Sequence, residues 1–173
     1  MPAETMADEP AAAREVVITR VFDVPARFLF EAYSKAEHLT QWFGPVGWPL
    51  TLCEIDFRVG GRFRFAMTGP SGKQNTPFGG EYLEIVPNRK IAYDNGFERP
   101  NAGRMIVTVS FDEKDERTTL TIHTLFDTVA MKNAHVGGGY VQGTGSGLDQ
   151  LAVVAAAMRV RASLRDRPLA AGG

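Results

Sequence analysis

Residues 51–68 read TLCEIDFRVGGRFRFAMT. In the second half Phe63, Phe65 and Met67 alternate with Arg62 and Arg64. Successive side chains on a strand point to opposite faces, so this spacing predicts a half-buried strand with rings on one side and guanidinium groups on the other. Val59-Gly60-Gly61 supplies the positive-φ residues of a tight turn, and Thr51 to Arg58 forms the partner arm. A hairpin with one apolar face is not stable alone; it needs more strands and a second layer.

The flanking sequence supplies both. Downstream, Gly69-Pro70-Ser71-Gly72 is a turn, and strands are expected over Phe78–Val86, Lys90–Asp94, Arg104–Asp112 and Arg117–Phe126. Pro87-Asn88, Asn95-Gly96 and residues 112–116 separate them. Met105, Val107, Val109 and Phe111 share one face, and Leu120, Ile122 and Thr124 share another. Upstream, Glu15–Phe22 is β-branched and apolar, hence a first strand. Pro25 then opens a short helix whose face carries Phe28, Leu29, Ala32 and Tyr33, and a second short helix runs from about Ala36 to Trp42.

The final element is one long helix. Leu148, Leu151, Ala155, Met158 and Ala162 form its apolar stripe, from about Thr144 to Leu164, with a start expected between Val136 and Thr144. At 1.5 Å per residue it reaches roughly 30 Å, enough to lie across a sheet. The expected fold is α+β: a curved antiparallel sheet of six to seven strands wrapped around the C-terminal helix, with two short helices after the first strand. Residues 14–166 read as a single domain, residues 1–13 as a disordered tail and residues 167–173 as a C-terminal tail.

Composition excludes several function classes. The 173 residues carry 19 Lys+Arg against 20 Asp+Glu, a net charge of −1, which argues against a nucleic-acid partner. The single cysteine, Cys53, forbids an internal disulfide and a thiolate zinc site, and a cytoplasmic location is expected. The longest apolar run, Leu151–Met158, is far short of the ~20 residues that span a bilayer, so no membrane insertion is expected.

A twisted sheet gripping one helix leaves space between them. Ala152, Ala155, Ala156 and Ala157 are expected to leave that space unfilled. The aromatic set Trp42, Phe43, Trp48, Phe63, Phe65, Tyr82, Tyr93, Phe97, Phe126 and Tyr140 exceeds what an alanine stripe can cover. These residues are the expected lining of a ligand cavity. Glu81, Arg62 and His135 are its polar candidates.

The chain resembles the START-like (SRPBCC) superfamily, in the branch named for the heat-shock protein 90 ATPase activator. The resemblance rests on ITRVFDVPARFLFEAYS (18–34), AEHLTQWFGP (36–45), DFRVGGRFRFAM (56–67), GGEYLEIVPNRKIAY (79–93), VSFDEKDERTTLTIH (109–123) and LDQLA (148–152). It extends over residues 15–165, and the order and spacing of these segments carry it rather than any one motif. It implies a helix-grip fold around a cavity for lipids or other hydrophobic molecules, without one fixed chemistry. Two features depart from the family. The activator itself has a further N-terminal domain, which is not expected in this chain. Gly137–Gly147 stands where relatives carry helix formers and often an acid near position 143.

The remaining candidates have plainer readings. The glycine-rich stretch lacks the Gly-Lys-Ser/Thr of a P-loop, so close packing or a gate is expected. His38 is expected to be solvated, His123 to sit on the outer face, and Cys53 to be an inert core thiol. No metal site, catalytic triad or cofactor is indicated. A binding protein for a small hydrophobic or amphipathic molecule is therefore expected. The alternatives are a cyclase or hydratase using Glu81 or His135, and a co-chaperone-like partner of a heat-shock ATPase. Homodimerisation is compatible with a domain of this size, but no residue specifies it.

Overall fold

In the computed structural model, which describes residues 9–167, the quoted hairpin forms one end of a seven-stranded antiparallel sheet. The elements in chain order are β1 (Glu15–Phe22), α1 (Ala26–Ser34), α2 (Ala36–Trp42), β2 (Leu50–Ile55), β3 (Arg62–Met67), β4 (Phe78–Val86) and β5 (Lys90–Phe97). They continue with β6 (Met105–Lys114), β7 (Arg117–Phe126), α3 (Val129–Gly137) and α4 (Tyr140–Arg165). The strand order is β1-β7-β6-β5-β4-β3-β2, so β2 to β7 form a meander and β1 closes on β7. Register irregularities between Leu50 and Leu52 and between Tyr82 and Glu84 are the kind of local bulge that bends a sheet.

The alternation read from the sequence becomes burial. Met105, Val107, Val109 and Phe111 of β6, and Thr118, Leu120, Ile122, Thr124 and Phe126 of β7, all face the core. Above them α4 buries Leu148, Leu151, Val154, Ala155 and Met158. The short helices wedge against α4 at one end of the sheet. Pro25 leads into α1, and the Ala26 amide donates to the Glu113 carboxylate at 2.6 Å, so a strand side chain satisfies one unpaired donor of the first turn. Trp42 ties α2 to α1 by donating from Nε1 to the Ala32 carbonyl at 3.0 Å.

Four expectations need correction. Residues 9–13, assigned to the tail, are ordered: Ala11–Ala13 form a 3-10 turn, and Glu9 accepts from the Arg14 guanidinium and the Val129 amide. Residues 1–8 and 168–173 of the expected tails lie outside the described residues. Strand β5 does not stop at Asp94 but runs through Asn95-Gly96 to Phe97. Gly96 faces Gly79 across the ladder, and Asp94 is held by the Glu81 amide and the Arg104 guanidinium, so the pair extends a strand instead of turning it. Helix α3 was not anticipated. Thr128 caps it by accepting from the Met131 amide at 3.0 Å, and Gly139, at φ 95°, breaks it from α4. His38 is not solvated: its side chain is only 12% exposed.

Candidate functional site

A cavity of about 500 Å³ lies where the inner face of the sheet, the end of α2 and the α3–α4 junction meet. Strands β5, β6 and β7 contribute Tyr93, Asn95, Phe97, Met105, Val107 and Ile122. Met67 and Phe78 come from β3 and β4, while Tyr33, Trp42 and Phe43 come from the short helices and the turn after them. The opposite wall is Ala134, His135 and Tyr140, followed by Gly143, Thr144, Gly147 and Leu148. Asn75, Thr76, Arg99, Ala134 and Gly138 line the cavity and are also exposed, which marks the mouth.

Where α4 meets the end of α2 it presents backbone: a Cβ at Gly143 would lie 3.2 Å from Pro45 and one at Gly147 would lie 3.4 Å from the Trp42 carbonyl. Gly143 and Gly147 stand one turn apart on the helix, Gly139 precedes it, and all three border the cavity. The alanine explanation is thereby corrected. Ala155 is packed in the core, whereas Ala152, Ala156 and Ala157 are exposed on the outer surface of α4. Each interior glycine costs a helix roughly 1 kcal/mol relative to alanine. Close packing of α4 onto the end of α2 helps to offset this, with Gln150 donating to the Gly44 carbonyl at 2.7 Å.

The polar groups are few. Tyr140 Oη and Thr124 Oγ1 share a hydrogen bond of 2.6 Å. His135 donates from Nδ1 to the Met131 carbonyl at 3.0 Å, and its ring rests on Phe97 and Phe126 at centroid distances of 6.2 and 5.1 Å. Two buried atoms on lining residues, His135 Nε2 and Asn95 Oδ1, have no protein partner among the described residues. Burial raises the Tyr33, Tyr93 and Tyr140 phenols above their ordinary pKa, so they stay protonated as neutral hydrogen-bonding groups near neutral pH. Among the described residues no carboxylate lines the cavity.

Of the residues named from the sequence, Trp42, Phe43, Tyr93, Phe97, Tyr140 and His135 border this cavity. Phe63, Phe65 and Tyr82 do not. They pack ring on ring, Phe63 lying 4.9 Å from Phe65 and 5.5 Å from Tyr82, around a side pocket of only about 20 Å³. Phe126 is fully buried behind His135 and Tyr140. Trp48 lies outside, 37% exposed, with its ring so close over Gly69 that a Cβ there would approach to 2.3 Å. Arg62 and Glu81 face each other across the β3–β4 ladder on the outer side, opposite Phe63 and Tyr82.

Sequence reasoning missed Asn95, taken for a turn, and Arg99, a loop residue with no local signal. Met105 and Val107 carried a signal in their alternation but were not named among the cavity lining. Cys53 is half-buried, and burial pushes its thiol pKa up, the reverse of an activated nucleophile. His123 pairs with Glu15 at 2.7 Å on a half-exposed face. Among the described residues no cluster of three potential metal ligands occurs, and no helix is long and apolar enough to cross a membrane.

Residues 23–156 match the family described as activator of Hsp90 ATPase homolog 1-like protein, most of the folded chain. The chain belongs to that family. Solved structures agree on the helix-grip fold. A protein of Nitrosomonas europaea superposes with a TM-score of 0.78 at 23% identity, over 86% of this chain and 98% of its own. A solution structure from Arthrobacter aurescens gives 0.77 at 24% identity, over 86% and 90%. A Chromobacterium violaceum protein gives 0.68 at 27% identity, over 82% and 96%. At these identities the first two establish the fold alone. No curated protein matches the chain.

Proposed function

We propose that this member of the Hsp90-activator-like family encloses a small hydrophobic or amphipathic molecule in the cavity between sheet and α4. One observation carries the reading: about 500 Å³ of space framed by aromatic rings, methionines and aliphatic side chains, with an exposed mouth. Such volumes and linings are typical of small-molecule sites. Burying ~200 Å² of ligand apolar surface at ~25 cal/mol per Å² contributes about 5 kcal/mol, before the cost of immobilising the ligand. About 5 kcal/mol corresponds to a Kd of about 0.2 mM, so sub-millimolar to millimolar affinity is the expected scale.

The enzyme alternative loses one of its two named residues from the cavity, since Glu81 faces outward and only His135 remains. The co-chaperone alternative rests on the family name.

The test is fluorescence of a neutral apolar dye, N-phenyl-1-naphthylamine, with native mass spectrometry for carried-over ligand. The expected result is saturable binding that Thr144→Phe, at a half-buried lining position of α4, weakens at least ten-fold while the circular dichroism is retained. No saturable binding, or equal binding by the filled variant, would overturn the proposal.

A further inference from the structure

We propose that the molecule held in the cavity is an amphipathic acid, with its apolar body among the rings and its carboxylate at the mouth against Arg99. This rests on the enclosure proposed above and narrows its ligand class. The distribution of charge carries it. Among the described residues the cavity wall contains no Asp or Glu, and Arg99 is its only Lys or Arg.

Arg99 is also free to act. Its side chain is exposed, and it forms no ion pair among the described residues. The adjacent carboxylate, Glu98, is already engaged by Arg64 through two hydrogen bonds of 2.6 and 3.0 Å. The Arg99 guanidinium instead sits 5.2 Å over the ring of Phe97, itself a lining residue, and this cation–π contact places the charge at the rim.

The walls set the polarity of entry. Val107, Ile122 and Leu148 are 3%, 5% and 1% exposed, so much of the deep wall is aliphatic, and the Tyr33, Tyr93 and Tyr140 hydroxyls beside it are neutral. A carboxylate driven there would be desolvated against neutral hydroxyls, with no Lys or Arg beside it among the described residues, which costs more than leaving it hydrated at the mouth. At the mouth the same carboxylate stays hydrated on one side and meets a guanidinium, whose fork geometry suits it, on the other. An ammonium head finds the opposite situation: no carboxylate to receive it and a like charge at the rim.

The experiment matches three ligands with one chain: decanoate, decanol and decylammonium, each displacing N-phenyl-1-naphthylamine near neutral pH and low salt. Because Arg99 is exposed, the preference for decanoate over decanol is expected to be about five-fold, with decylammonium weakest. Arg99→Gln is expected to bring decanoate to parity with decanol, the ratio of acid to alcohol affinity within one protein being the readout. Equal displacement by the acid and the alcohol in the native protein, or stronger displacement by the amine, would overturn the proposal. So would an acid preference that survives Arg99→Gln. If the dye binds and none of the three displaces it, the acid proposal falls while the enclosure stands. If neither the dye nor any of the three binds, both fall.

Discussion

Removing one hydroxyl at the root of α4 tests how this wall of the cavity is held. Tyr140 Oη lies 2.6 Å from Thr124 Oγ1, the only hydrogen bond of the Thr124 side chain among the described residues. Thr124 is fully buried, whereas Tyr140 borders the cavity and is half-buried. In Tyr140→Phe the Thr124 hydroxyl loses its partner inside the protein, which costs about 1–2 kcal/mol. In Thr124→Val the Tyr140 oxygen still borders cavity space, and the added methyl is apolar, so the loss is about 0.5–1 kcal/mol. The double variant removes both members and leaves nothing stranded, so it is expected to cost less than the two single losses added together. The expected coupling is about 1 kcal/mol. For a domain of this size 1 kcal/mol moves the midpoint by roughly 2–4 °C, so thermal and urea unfolding followed by circular dichroism resolve the cycle. Strict additivity, or a Tyr140→Phe protein as stable as the parent, would show that the contact does not hold α4 to β7.

Two further outcomes follow from burial and from backbone geometry. All four tyrosines, Tyr33, Tyr82, Tyr93 and Tyr140, have pKa values raised above 10.0, chiefly by burial. The unfolded chain releases these protons first, so their contribution to stability is complete below about pH 10 and declines as the pH rises beyond it. Absorbance at the phenolate band should therefore rise together with loss of circular dichroism, and a reversible native titration of any tyrosine near its ordinary pKa would refute this. Gly145→Ala places a Cβ in ordinary contact, 3.5 Å from the Arg20 guanidinium, and should stabilise the protein by about 0.5–1 kcal/mol through helix propensity. Gly139→Ala, at φ 95°, should instead destabilise it by about 1 kcal/mol, and opposite midpoint shifts for the two variants are the check.

Period and punctuation were enough for the architecture. The Phe63-Phe65-Met67 alternation, the matching faces of β6 and β7 and the Leu148-Leu151-Ala155-Met158 stripe each state which side of an element is apolar, and a chain has few ways to bury those sides together. The same patterns could not say that Asn95-Gly96 continues β5, because the ladder partners Gly79 and Met105, and the Glu81 amide and Arg104 guanidinium that hold the preceding Asp94, come from distant parts of the chain. Nor could they sort Phe97 and Tyr93, which face open space, from Phe63 and Phe65, which face each other. The members of each pair stand an even number of residues apart on their strand, which places both on one face. Arg99 had no local signal, because its place at the rim is set by a loop whose path depends on Phe97 and on the salt bridge made by its neighbour. Alternation reports the side of a strand on which a residue stands. A cavity is the gap between two surfaces, and here its walls come from the sheet, from the end of α2 and from a helix whose Gly143 and Gly147 seat it closely against Trp42–Pro45, contacts between segments about a hundred residues apart that no local pattern reports.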